Sequence, residues 1–382
     1  MFCLATYYLL FGSSLGHKEH KRPEKIEKPV EYSYLAIAVA YFDKDNIQQD
    51  VIGEIGDAGV IGMIPDRFPS EGDRIVTDST QYIISNILGK GTGSAVYRAS
   101  LTGGEDVAIK FQKFENSERE NSVETDYAVL KRASVFSSYF PKVYYLSGIG
   151  RIAKEEGVVN IRYMVMELLG SPVWSFVKAK QFKVPAITAA SIGIQIVEIV
   201  EKFHSIGFIH GDIHLENMLF VYRGEEDENG QSFTDRVVLG DYGKSSMYMN
   251  PENGLLKLEE NVPIRKGKNL LFLSPYEMAG SSYSRREDIF RLIESVARMV
   301  DERAYSSKFK PFQNNVAEMI KAKKSIQLHD IIPGIHPALS ELYGYARSMD
   351  FTDRPNYEYI TKKLTEVIHG SGFTYNGRII FD

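Results

Sequence analysis

Between Phe203 and Gly243 the chain concentrates side chains that can do chemistry. His210-Gly211-Asp212-Ile213-His214-Leu215-Glu216-Asn217 places an acid and, five residues later, an amide. Val237-Val238-Leu239-Gly240-Asp241-Tyr242-Gly243 is an apolar strand ending on an acid, an aromatic residue and a glycine. Together the two phrases read as built to hold one small, highly charged ligand. Each alone is also ordinary local chemistry, because His-Gly-Asp is a common turn and Asp-Tyr-Gly closes many strands. What decides is whether other elements aim these groups at one point.

Upstream, Tyr82 to Lys110 reads as three strands. The first, Tyr82 to Leu88, runs into Gly89-Lys90-Gly91-Thr92-Gly93-Ser94-Ala95-Val96-Tyr97. A Gly103-Gly104 hairpin turn then leads to Asp106-Val107-Ala108-Ile109-Lys110. Glycines between two strands let backbone N–H groups close over phosphates with no Cβ in the way. The loop alone equally suits a plain hairpin. Lys110 shifts the balance, since a lysine closing an apolar strand is costly unless it meets an anion. Glu115 to Ala133 has helical periodicity with Val123, Tyr127 and Leu130 on one face. Glu124 lies beside that face; it either pairs with Lys110 and holds its ammonium against phosphate oxygens, or is a surface acid.

Further along, Tyr163 to Gly170 is an apolar strand running into a short link. Ile187 to His204 is a helix stopped by Gly207. Arg223 to Asp235 is an acidic, exposed loop, and the segment from Gly243 to Glu277 is irregular with Arg265, Lys266 and Lys268 clustered. Arg285 to Val300 and Asn356 to His369 are helices, the second started by Pro355.

The totals bound the answer. A chain of 382 residues is long enough for two lobes with sizeable cores. A hydrophobic share of 43% with 25% charged residues is that of a soluble globular protein. The net charge of −5 gives no global pull toward nucleic acid or membrane. With Cys3 as the single cysteine, a disulfide framework or a cysteine-based zinc site is excluded. No apolar run is long enough to span a bilayer. Residues 1–16 have the outline of a secretory signal, a short apolar block before Ser14 and Gly16, yet carry no Lys or Arg; the other reading is a buried or frayed N-terminus. The compartment is accordingly extracellular in the first case and cytoplasmic or nuclear in the second. Residues 17–78 read as an extension: a charged linker to Pro29, a strand at Ser33 to Phe42, and a Gly-punctuated apolar stretch at Asp50 to Ile64.

The parts stand in an order that resembles the eukaryotic protein kinase family over roughly Thr80 to Gly370: Gly-rich hairpin, strand lysine, helix acid, hinge, Asp…Asn loop, Asp-Tyr-Gly, helical lobe. Several phrases are similar to the casein kinase 1 and vaccinia-related kinase group. These are Val165-Met166-Glu167-Leu168-Leu169-Gly170, Ser284-Arg285-Arg286-Glu287-Asp288 and Phe351-Thr352-Asp353-Arg354-Pro355-Asn356-Tyr357. The resemblance implies an α+β, bilobal fold, with an antiparallel sheet plus one helix in the N-lobe (79–166), a mainly helical C-lobe (170–370) and a tail (371–382). It implies transfer of the ATP γ-phosphoryl group to Ser or Thr hydroxyls of protein substrates, with Mg²⁺. On this basis Asp212 is the catalytic base, Asn217 and Asp241 are the metal ligands, and Lys110 with Glu124 is the phosphate-anchoring pair. Leu88, Gly89, Gly91, Ser94, Val96 and Ala108 enclose the nucleotide, Met166 is the gatekeeper, and Glu167, Leu168 and Leu169 face adenine. Asp288 braces the catalytic loop, and Glu277 of Ser274-Pro275-Tyr276-Glu277 pairs with Arg354.

Four departures from the family pattern bear on activity. His214 stands where a lysine usually touches the γ-phosphate; an imidazole is mostly uncharged near neutral pH, although a phosphate favours its protonated form. Ser94 replaces the third loop glycine. Gly211 replaces the arginine that receives an activation-loop phosphate, so activation should not require one. A Thr-Gly-Thr phrase before Ser274 is missing, which puts the group's usual substrate-anion site in doubt. The sequence therefore supports two readings, an active Ser/Thr kinase and a kinase-fold scaffold that binds nucleotide or a partner. The cluster at Arg265, Lys266 and Lys268 would select acidic or already phosphorylated substrates, or is simply solvated.

Overall fold

The computed structural model describes residues 68–76, 80–91, 93–101, 103–114, 122–136, 138–147, 150–154, 157–250, 253–263 and 269–381. The readings of the first sixteen residues, of the strands at Ser33 to Phe42 and Asp50 to Ile64, and of Arg265, Lys266 and Lys268 fall outside them. Within them, an antiparallel sheet lobe sits on a helical lobe.

The sheet comprises β1 (Arg74–Val76), β2 (Gln81–Gly91), β3 (Ser94–Leu101), β4 (Asp106–Phe114), β5 (Val143–Leu146), β6 (Gly150–Lys154) and β7 (Gly157–Glu167). Its order is β1-β2-β3-β4-β7-β5, with β6 paired to β7. Successive strand residues face opposite sides, and this parity decides where Lys110 points. Ile109 and Phe111 join Tyr97, Tyr163 and Val165 in one apolar cluster. Ala108 joins Met164, Met166 and Val123 in another, on the opposite face. Lys110 follows Ala108 by two and so shares its face, opposite Met164 in the β4–β7 register. Gly93 at φ +77° turns the β2–β3 hairpin, a conformation that favours glycine.

Helix α1 (Ser122–Ala133) packs under that second face. The side-chain oxygen of Gln112 on β4 accepts from the Val123 backbone N–H (2.8 Å) and from the Ser122 hydroxyl (3.0 Å), so the strand that carries Lys110 also caps the helix beside it.

The helical lobe is built on α3 (Ala186–Ser205), which is apolar almost all round and therefore central. It follows α2 (Val173–Ala179), which buries Val173, Phe176 and Val177. Gly193 lets α5 (Arg285–Val300) come close: a Cβ there would meet Val296 Cγ2 at 2.9 Å. The short pairs β8 (Phe208–Ile209) with β11 (Ser246–Met247), and β9 (Met218–Phe220) with β10 (Val237–Leu239), frame the two opening phrases. Between β11 and α5 lies the short α4 (Pro275–Met278). The rest of the lobe is α6 (Glu302–Phe309), α7 (Val316–Ser325), α8 (Leu328–Ile331), α9 (Pro337–Ser348) and α10 (Tyr357–Gly370). The stretch after Gly370 is no loose tail. Ile379 is buried, its N–H donates to the Asp235 carbonyl (2.9 Å), and Thr188 on α3 donates to the Ile380 carbonyl (2.6 Å). Among the described residues no helix is long and apolar enough to cross a membrane.

Candidate active site

A cleft of about 830 Å³ separates the lobes, and its walls come from both. Leu88, Gly89, Gly91, Ser94 and Val96 line it from the hairpin, Ala108 and Lys110 from β4, and Met166 to Leu169 from the connecting strand. Asn217 and Asp241 line it from below. All of these sequence-predicted nucleotide and metal positions therefore meet in one space, within the size range of small-molecule sites.

Lys110 is buried, and its Nζ donates to Asp126 Oδ2 (2.5 Å) and Asp241 Oδ1 (2.8 Å). Burial would push the ammonium down, but Asp126 and Asp241 outweigh it and hold Lys110 above the ordinary lysine range. The expected partner, Glu124, is elsewhere. Its carboxylate forms an ion pair with Arg162 of β7 at 2.8 Å. The reason is helical geometry: two residues along a helix lie on nearly opposite sides, so only one of Glu124 and Asp126 can face the cleft. Asp126 sits three after Val123 and four before Leu130, both buried, which places it on the packed face. That position was the available signal, an acid inside an apolar stripe. Burial pushes the Asp126 carboxyl up from its ordinary range, against the pull of Lys110 and of the Tyr242 backbone N–H, which donates to Asp126 Oδ1 (2.8 Å).

Asp241 has φ +58°, in the left-handed region that side chains other than glycine seldom adopt. Such a residue costs on the order of 1–3 kcal/mol and persists where the surroundings over-determine it. Burial would raise the Asp241 carboxyl, yet the Lys110 ammonium holds it below the ordinary carboxylate range.

Asp212 is tied in by its neighbours. The Asn217 amide donates to the Asp212 carbonyl (2.9 Å), Lys244 Nζ donates to Asp212 Oδ2 (2.6 Å), and His214 Nε2 lies 3.7 Å from that oxygen. Burial alone would raise the Asp212 carboxyl; His214 and Lys244 hold it well below the usual range, as a carboxylate. Nothing in the sequence marked Lys244, apart from its place directly after Asp-Tyr-Gly.

The loop carrying Asp212 is held from α5. Ser284 and Glu287 cap that helix reciprocally, which puts Asp288 in its first turn. Asp288 Oδ2 accepts from the His210 backbone N–H (2.7 Å) and Oδ1 from that of Gly211 (2.9 Å). Burial pushes the His210 imidazole below its ordinary range, against the pull of Asp288; Nδ1 accepts from the Asp212 N–H (3.3 Å), leaving Nε2–H to donate to the Gly240 carbonyl (3.2 Å). One imidazole thus joins the two phrases with which the sequence reading began.

The protein kinase domain model matches residues 82–364. The chain belongs to the protein kinase family. Among curated proteins, the kinase is 24% identical over 315 residues to a casein kinase 1-like protein of Oryza sativa subsp. japonica, covering 77% of this chain and 41% of the rice protein. It is 24% identical over 308 residues to a probable casein kinase I homologue of Encephalitozoon cuniculi, covering 78% of this chain and 92% of that protein. It is 24% identical over 311 residues to casein kinase I homolog 1 of Saccharomyces cerevisiae, covering 78% of this chain and 52% of the yeast protein. The chain thus spans about half or less of the rice and yeast relatives.

The kinase departs from the sequence expectation at a second pair. Glu277, in α4, binds Arg291 of α5 at 2.5 Å, with both side chains buried. Arg354 is exposed and does not provide this bridge. Burial would lower the Arg291 guanidinium, but Tyr283 and Glu277 raise it above its ordinary value.

The donor set suits a magnesium nucleotide. Mg²⁺ takes one or two carboxylates and completes its shell with phosphate and water oxygens; Asp241 and Asn217 supply one carboxylate and one amide facing the same cleft.

Proposed function

We propose that this kinase transfers the ATP γ-phosphoryl group to Ser or Thr hydroxyls of protein substrates, with Asp241 and Asn217 holding Mg²⁺. The observation that carries this reading is the double contact of Lys110, which ties α1 to the Asp-Tyr-Gly phrase through Asp126 and Asp241. A chain in which these contacts had lapsed would leave the lysine buried without an anion. Magnesium supplies charge neutralisation at the phosphates when bound. Lys110 positions the α- and β-phosphates, the hairpin covers them, and Met166 to Leu169 seat the base. Asp212, held as a carboxylate, orients the incoming hydroxyl and takes its proton as the oxygen bonds to the γ-phosphorus and ADP leaves. The casein kinase 1 names of the relatives favour Ser or Thr over Tyr.

The test is incubation of the purified chain with MgATP and casein, followed by phosphoamino-acid analysis. Phosphoserine or phosphothreonine is the expected product. Label on tyrosine alone would overturn the specificity. Nucleotide binding without any label would favour the scaffold reading.

A further inference from the structure

Lys244 is the charged group nearest Asp212, and nothing in the mechanism so far uses it. Its Nζ lies 2.6 Å from Asp212 Oδ2, while its side chain is 59% exposed. Among the described residues, Asp212 is the one acid with which it pairs. Lys110, by contrast, is committed to Asp126 and Asp241. His214, the other cationic candidate, sits at 3.7 Å and carries charge only when protonated.

The backbone is shaped for this contact. Gly211 has φ +76°, and a Cβ built there would meet the Lys244 carbonyl oxygen at 2.9 Å. Glycine at 211 is therefore what lets the segment after Asp-Tyr-Gly lie directly against the loop that carries Asp212. The Ser245 N–H donates to the Tyr242 carbonyl (2.9 Å), closing the turn that presents Lys244.

Resting on the phosphotransfer reading, we propose that Lys244 is a catalytic residue that contacts the γ-phosphoryl group in transit and supplies a fixed positive charge beside Asp212, where the chain has His214 in place of a lysine. In the resting site its ammonium occupies Asp212 Oδ2. When a hydroxyl approaches that carboxylate, the ammonium moves to the phosphoryl oxygens. The substrate oxygen then bonds to the γ-phosphorus, the bond to the β,γ-bridging oxygen breaks with its electron pair leaving on ADP, and the hydroxyl proton passes to Asp212. In that loose transition state the charge is spread over the three equatorial oxygens, and because the Lys244 ammonium reaches them only once it leaves Asp212, it acts on the transition state more than on bound nucleotide.

The experiment compares wild type, Lys244→Met, Lys244→Arg and Lys244→Met/His214→Lys. Its readouts are kcat on casein, KM for ATP, and affinities for MgADP and for MgADP with tetrafluoroaluminate. Loss of one such charge is expected to lower kcat about 100-fold. Affinity for the fluoroaluminate complex should fall by a similar factor, with MgADP affinity within about threefold of wild type. Lys244→Arg should retain most of the rate, and His214→Lys should recover at least about tenfold of what Lys244→Met loses. A Lys244→Met enzyme as fast as wild type, or faster because Asp212 is unmasked, overturns the proposal while leaving the phosphotransfer reading intact. Equal losses of MgADP and fluoroaluminate affinity overturn it too. A wild-type protein that binds MgADP but transfers nothing overturns both.

Discussion

Lys110 on β4 is joined to Asp126 on α1, with Nζ 2.5 Å from Oδ2. The same carboxylate accepts from the Tyr242 N–H through its other oxygen at 2.8 Å. One aspartate therefore couples Lys110, α1 and the Asp-Tyr-Gly phrase. Asp126→Asn should lower phosphoryl transfer by about 100-fold, and Glu124→Gln should stay within about threefold. Steady-state kinetics of the two variants on one substrate checks this; the reverse ranking would return the anchor to Glu124.

Magnesium dependence is assigned to Asp241 and Asn217. Wild type should bind ATP at least about tenfold more tightly in Mg²⁺ than in EDTA, and Asp241→Asn should shrink that ratio toward one. Titration of a fluorescent ATP analogue under both conditions reads the ratio directly. An undiminished ratio in Asp241→Asn would place the metal elsewhere.

The pair Glu277–Arg291 is a structural tie with both ends buried. Removing one partner strands a buried charge and costs about 3–5 kcal/mol. Arg291→Met should therefore lower the unfolding free energy by that order. Arg354→Ala, at an exposed position, should change it by less than about 0.5 kcal/mol. Denaturant unfolding of the two variants distinguishes them, and equal effects would contradict the assignment.

Stability should depend on pH through two buried imidazoles. Burial lowers both His204 and His210, against the pull of Asp288 on each. The unfolded chain then binds more protons than the folded one below about pH 6.5. The contribution is fully present above that pH and is lost as pH falls toward the folded-state values, at up to about 1.4 kcal/mol per pH unit for each proton. Calorimetry between pH 7.5 and 6 should show a falling Tm; a flat or rising Tm would mean the imidazoles are charged in the folded protein.

Much of this site was legible because its residues sit where local rules are strong. The parity of β4 sends Lys110 to the face of Ala108, the glycines of the hairpin mark a turn, and the reciprocal cap of Ser284 and Glu287 fixes where α5 begins. Asp288 then falls into reach of the Asp212 loop. The misplaced partners share one cause. Choosing Glu124 over Asp126, or Arg354 over Arg291, requires knowing which face of a helix is covered, and that is set by the neighbouring lobe. Lys244 was invisible for a related reason: its contact with Asp212 depends on the bend at Gly211, which brings residues 32 apart in sequence together. The stretch after Gly370 docks because Ile379 finds a site formed by loop and helix residues from far upstream.

The most direct test of the central claim is transfer of labelled γ-phosphate by wild type and by Asp212→Asn, at matched nucleotide occupancy. Removing the base while keeping the nucleotide should lower kcat by about 100- to 10,000-fold with little change in ATP affinity. Equal rates for the two proteins would contradict the assignment of Asp212, and with it the active centre described for this kinase.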